Sequence, residues 1–147
     1  MAGDGGLSML MGELITAVAC KLPVKVVVFN NSTLGLVKLE MLVDGLPDFG
    51  VDVPAVDFAT IAKAVGFHTV RVDDPRMLRS ALAEALAHDG PTLVDIITDP
   101  NALSLPPTIT ADQVKGVGLA LSKVVLNGGV GEAVRMARSN IRHLPGL

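Results

Sequence analysis

Tryptophan and tyrosine are missing from these 147 residues, and aromatics make up only 3% of them. A core without large rings has to be assembled from Val, Leu, Ile, Ala and Met. That mixture suits Val-rich buried strands beside Ala- and Leu-rich helices. Cysteine is nearly absent as well: Cys20 stands alone, which excludes a disulfide within the chain and points to a reducing compartment. Lacking an activating neighbour in sequence, it reads as a buried small hydrophobe. Lys and Arg number 12 against 15 Asp and Glu, with no basic block, so nucleic acid drops out as an expected partner. No apolar run reaches the roughly 18 residues of a membrane span. A charged opening followed by a signal-like apolar stretch is also missing. The expectation is a soluble, cytoplasmic α/β domain.

The periodicities fill in that frame. Leu10, Met11, Leu14, Ile15 and Val18 recur at helical spacing between Leu7 and Cys20, with Ser8 or Gly6 as a start and Pro23 as a stop. "VKVVVF" (24–29) is a β-branched strand apolar on both faces, as in a parallel sheet. "NNSTLG" reads as a loop, Leu36 to Leu42 as a short helix, and "VDGLPDFGVDVPAVD" as a long irregular connection. Asp57 can cap a helix through "FATIAKAV", with Gly66 just beyond its end. "HTVRV" and "PTLVDIIT" are further strands, separated by a helix opened by Asp74-Pro75 and running to Ala87. A Pro-rich crossing, "PNALSLPPTIT", precedes a helix from about Ala111 to Asn127, and a last helix runs from about Glu132 to Ile141. This alternation predicts a doubly wound, mainly parallel sheet with helices on both faces. Residues 1–127 form the expected main domain, and 128–147 a terminal helix and tail.

The chemistry gathers at two turns. Asp4 lies between Gly3 and Gly5, just ahead of a helix start. Glycines let a backbone approach a ligand, and a helix start offers unpaired N–H groups to an anion. An aspartate there repels a phosphate unless a cation stands between, and Mg²⁺ accepts carboxylate and phosphate oxygens together. Asn31 follows a buried strand, where ligands bind at the carboxyl edge of a parallel sheet. Its amide oxygen and the Thr33 carbonyl are hard donors of the kind Mg²⁺ prefers. The expected site is Mg²⁺ bridging to a diphosphate, provided both loops leave the same edge.

"GDGG", a helix carrying "ELITA", an apolar strand and then "FNNSTLG" together resemble the diphosphate-binding motif of thiamine diphosphate-dependent enzymes. Within them, "GDGGLSMLMGEL", "KLPVKVVVFNNSTLGLVKLEM", "GPTLVDIIT" and "LPPTITADQVKG" are most similar to the pyruvate oxidase group, quinone-linked pyruvate dehydrogenases included. The resemblance implies Asp4 and Asn31 as Mg²⁺ ligands, with the Thr33 carbonyl as a third. It implies cofactor contacts from Gly5, Gly6, Asn31, Ser32, Thr33, Leu34, Gly35, Leu36 and Val37, with Val37 beside the thiazolium and Glu40 as an active-site carboxylate. The implied reaction is oxidative decarboxylation of pyruvate. Acetolactate synthesis, a 2-keto acid decarboxylase and a non-catalytic assembly module stand as alternatives. FAD belongs to the full-length family, but nothing in these residues matches its domain. The residue that ionises the cofactor comes in the family from an amino-terminal domain of a neighbouring subunit. The chain is therefore expected to be an amino-terminally truncated part, without even a strand ahead of Gly-Asp-Gly. It would be inactive alone and complete only with missing domains or a second subunit, as a homo-oligomer.

The other polar residues are expected to be structural. His68, His88 and His143 are scattered in sequence without ligand spacing. Asp44, Asp48 and Asp52 make a solvated face or, by the resemblance, part of a lid. Val130, Val134, Ala137 and Ile141 line one side of the last helix, and Arg135, Arg138 and Arg142 another. Such a helix packs on its own domain or rests on the inner face of a membrane.

Overall fold

The computed structural model describes residues 1–102 and 110–140. Along the chain run β1 (Ala2–Gly3), α1 (Asp4–Met9), α2 (Glu13–Ala19), β2 (Lys25–Asn30), α3 (Gly35–Val43) and α4 (Phe58–Ala64). There follow β3 (His68–Val72), a 3₁₀ turn (Pro75–Met77), α5 (Leu78–Ala87), β4 (Thr92–Ile97), α6 (Ala111–Leu126) and α7 (Val130–Asn140). Two compact units result. Met1–Ser32 and Pro54–Thr98 make the first; Thr33–Val53 and the chain from Asp99 onward make the second. The boundary expected at 127/128 falls within the second unit, between α6 and α7.

The first unit holds the whole four-stranded sheet, in the order β1-β2-β4-β3 with every pair parallel. Its strands are Val- and Ile-rich because both faces are covered. On one face Leu7, Leu14 and Ala17 of α1 and α2, together with Phe58 and Ala62 of α4, pack on Val28 and Leu93. On the other, Ala81 and Ala85 of α5 pack on Val72 and Val94. The expected mainly parallel sheet with helices on both faces is what forms.

Three local details differ from expectation. A strand does lead into Gly-Asp-Gly: Ala2 and Gly3 pair with Val28 and Phe29. Two residues are too short for a hydrophobic pattern, so only pairing with β2 reveals it. The single helix over Leu7–Cys20 is broken into α1 and α2 around Gly12, and α1 begins at Asp4 itself, not at Gly6 or Ser8. The buried stripe is therefore Leu7, Leu14 and Ala17, while Leu10 and Ile15 stay exposed.

The second unit is helical. Leu42 of α3, Ala120 of α6 and Met136 of α7 form its core. Thr110 caps α6 in a reciprocal pair with Gln113, satisfying two first-turn donors. On α7 the buried residues are Met136 and Asn140, whereas Val130 and Val134 are exposed. Met136 packs on Leu42 and Ala120, while the Asn140 amide donates to the Asn101 carbonyl at 2.7 Å and, within α7, to the Met136 carbonyl at 2.8 Å. The expected apolar stripe therefore faces solvent over its described part, and Ile141, Arg142 and His143 lie outside the described residues. So does most of the Pro-rich crossing.

Candidate functional site

Asp4 is the first residue of α1, reached from β1 through an extended Gly3, and is only 5% exposed. Parallel pairing of Gly3 with Phe29 makes both chains leave the sheet at the same carboxyl edge. The consequence is direct: the Ser32 amide donates to Asp4 Oδ2 at 2.7 Å, and the Gly5 amide donates to Oδ1 at 2.9 Å. Ser8 Oγ donates to the Asp4 carbonyl, tightening the same turn. Ser32 adopts a left-handed backbone with φ of 55°, which costs a non-glycine residue about 1 kcal/mol or more. Its charge-assisted bond to Asp4 offsets that strain. Asn31, half-buried, precedes this peptide, so the Asp4 carboxylate sits against the Asn31–Ser32 loop.

Beside the loop lies a polar row missed at the sequence level. Asn30, at the end of β2, donates from Nδ2 to the Val56 carbonyl at 2.9 Å and to Asp95 Oδ1 at 3.0 Å. Arg71 of β3 donates to Asp95 Oδ2 at 2.9 Å and approaches Asp57 at 3.4 Å. Asp57 caps α4 by accepting from the Thr60 amide at 2.8 Å. That bond and, more weakly, the Thr60 hydroxyl and the Arg71 charge hold its carboxyl below the usual range, although desolvation pushes the other way. The one available signal was a charged residue inside the apolar run "LVDII".

The remaining candidates belong to the second unit. Thr33 is buried and its Oγ1 donates to the Val51 carbonyl at 3.2 Å, beside a bridge to Asp52. Its own carbonyl, the third Mg²⁺ ligand implied by the resemblance, accepts from the Gly35 amide at 3.0 Å. The Leu34 amide donates to Val51 at 2.8 Å, which fixes the entry into α3. Leu34, Leu36, Val37 and Glu40 present exposed side chains on this turn and helix. Lys38 is buried and pairs with Asp48 at 2.9 Å, so Asp48 is a tether for the long connection and not a solvated residue.

Thiamine diphosphate and Mg²⁺ are the groups this arrangement has to be tested against. A nearly buried carboxylate that receives only backbone N–H donors, with no ion-pair partner among the described residues, is a ready anionic oxygen ligand. Around it the turn is open: a Cβ placed on Gly3 or Gly6 would meet nothing within 4 Å. No three His, Cys, Asp or Glu side chains among the described residues form a metal cage. Mg²⁺ held by one carboxylate, an amide, waters and phosphate oxygens needs none. The donor set fits.

One other expectation changes. Cys20 is exposed, because it caps the end of α2 beside Lys21, whose φ is 52°. His68 and His88, far apart in sequence, stack with ring centroids 4.5 Å apart, and His68 Nε2 lies 2.7 Å from Glu84 Oε1. No described helix is long and apolar enough to cross a membrane.

Several known proteins are similar to this chain. YdaP of Bacillus subtilis (strain 168), whose name carries thiamine pyrophosphate, is 40% identical over 79% of the chain and 20% of its own length. Pyruvate oxidase of Lactiplantibacillus plantarum is 39% identical over 66% of the chain and 17% of its length. Acetolactate synthase of Bacillus subtilis is 31% identical over 67% and 17%. Among solved structures, the thiamine diphosphate-dependent 4-hydroxybenzoylformate decarboxylase of Rhodococcus jostii RHA1 superposes with a TM-score of 0.61 at 31% identity, over 66% of the chain and 19% of that protein. The chain thus spans about a fifth of these relatives' length. Residues 1–96, which contain the Asp4 turn, the Asn31–Ser32 loop and the whole sheet up to Ile96, match the family described as "Thiamine pyrophosphate enzyme, C-terminal TPP binding domain", and the chain belongs to that family.

Proposed function

We propose that this chain is the diphosphate- and Mg²⁺-holding part of an enzyme that oxidatively decarboxylates pyruvate. The observation that carries the site is the 2.7 Å bond from the Ser32 amide to Asp4 Oδ2. It turns a buried carboxylate toward the Asn31 loop at the carboxyl edge of the sheet, where ligands bind in this architecture. Asp4 and Asn31 supply the side-chain oxygens for Mg²⁺. Gly3 and Gly6, with open space where a Cβ would stand, give the diphosphate room to approach. Thiamine diphosphate, when bound, supplies a nucleophilic carbon and an electron sink that lets a 2-keto acid lose CO₂. The chain's own part is to orient that group and to neutralise its diphosphate charge through the metal. Glu40 is the carboxylate assigned to the substrate side. Similarity to pyruvate oxidase supports the oxidative reading. Similarity to acetolactate synthases supports the alternative, carboligation of the same keto acid.

Titration of the 147-residue chain with thiamine diphosphate, in a calorimeter with and without Mg²⁺, tests the site. Mg²⁺-dependent binding that Asp4→Ala abolishes is the expected result. Equal binding by the variant, or none by the parent at saturating cofactor, removes the assignment.

A further inference from the structure

Asp95 has no role in the site as assigned, although it is a fully buried carboxylate in the middle of β4. Such a group persists only when donors satisfy it. Its oxygens divide their partners: Oδ1 accepts from Asn30 Nδ2 at 3.0 Å, and Oδ2 from Arg71 Nη1 at 2.9 Å. Through them it links three neighbouring strands, β2, β4 and β3, on the sheet face that carries Asn30. The other N–H of the Asn30 amide is taken by the Val56 carbonyl. Both donors of that amide are therefore used and the side chain has one orientation. Asn30 is the last residue of β2, and the next two residues are the loop that meets Asp4.

Packing alone does not require a carboxylate here, since a buried polar group and its partners can together be replaced by apolar side chains of similar volume. A carboxylate adds direction, because hydrogen bonds fix the angle of a partner where packing fixes only its volume. We propose that Asp95, held by Arg71, is a positioning residue for the diphosphate site. By locking Asn30 it sets the path of Asn31 and Ser32, and so aims the Ser32 amide at Asp4 and the Asn31 side chain at the metal. The proposal rests on the reading of Asp4 and Asn31 as the Mg²⁺ site. Outer partners of metal ligands commonly change affinity by about 10- to 100-fold when altered.

The test uses the 147-residue chain with Asp95→Asn and Arg71→Gln, read by ¹H–¹⁵N spectra and by calorimetry with Mg²⁺ and thiamine diphosphate. Asp95→Asn is expected to move the Ser32 and Gly5 amide resonances while those of Ala81 and Ala85, on the opposite face, stay in place. Affinity should fall about tenfold, and Arg71→Gln should act in the same direction to a smaller extent. Should Asp95→Asn fail to fold, Arg71→Gln decides alone, since the Arg71 side chain is 40% exposed. A lowered melting temperature with unmoved Ser32 resonance and unchanged affinity overturns the proposal and leaves Asp95 as framework. A parent chain that binds no cofactor, while its Ser32 amide still responds to Asp95, removes the assigned site and supports the positioning of the Asp4 loop.

Discussion

Asp57 shows how one carboxylate links local and long-range structure. It satisfies one first-turn donor of α4 by accepting from the Thr60 amide, takes the Thr60 hydroxyl as well, and also faces Arg71. Its folded pKa lies below the unfolded value of about 3.9. The stability it contributes is therefore complete above that value and is lost as pH falls through the lower folded one. At neutral pH, Asp57→Ala should destabilise the chain by about 1 kcal/mol, the usual cost of a lost cap. Urea unfolding of both proteins across pH should show the difference shrinking below about pH 4; a constant difference would refute the linkage. Asp57 was legible in the sequence because a cap is a local matter, decided within three residues. Asp95 was not. Its partners are Asn30 and Arg71, 65 and 24 residues away, and nothing in "LVDII" names them. The histidines show the same limit, since stacking of His68 on His88 follows from where α5 delivers the chain to β4.

Periodicity located the helices well but could not say which face each one buries. Two glycines on α6 make the point. A Cβ on Gly116 would lie 1.7 Å from the Val43 carbonyl oxygen of α3, so the two helices touch backbone to backbone there. Gly118, two residues on, has open space. Gly116→Ala should cost about 3 kcal/mol, as overpacking that only helix displacement can relieve. Gly118→Ala should gain up to about 1 kcal/mol from helix propensity. Denaturation midpoints of the two variants will move in opposite directions if α3 and α6 pack as described; movement in the same direction would show that they do not. On α7 the apolar stripe drawn from Val130 and Val134 is not the buried face: Met136 packs on Leu42 and Ala120 instead, and the Asn140 amide on the same side donates to the Asn101 carbonyl. In α1 and α2 the assumed continuous helix hid a break that shifts the buried side by a residue or more.

At the level of the whole chain, large apolar side chains remain in solvent on both units. Met9, Leu10 and Ile15 are examples in the first, Leu36, Phe49 and Leu126 in the second. Exposed apolar surface of this kind favours association. Sedimentation velocity over a concentration series should give a rising average mass, and Leu10→Lys combined with Ile15→Lys should lower it. A mass independent of concentration would argue against self-association through this surface. Composition and local pattern indicated most of the element types, the strand–helix alternation that implies a parallel sheet and the two turns that carry the family resemblance, because each is read from residues close together in the chain. Tertiary structure had to supply the rest: strand pairing gave the two-residue β1, the Asp4–Ser32 bond and the Asp95 row, and helix packing gave the buried faces of α3, α6 and α7. These arise where segments distant in sequence meet, and a contact of that kind has no energy until the fold brings its two halves together.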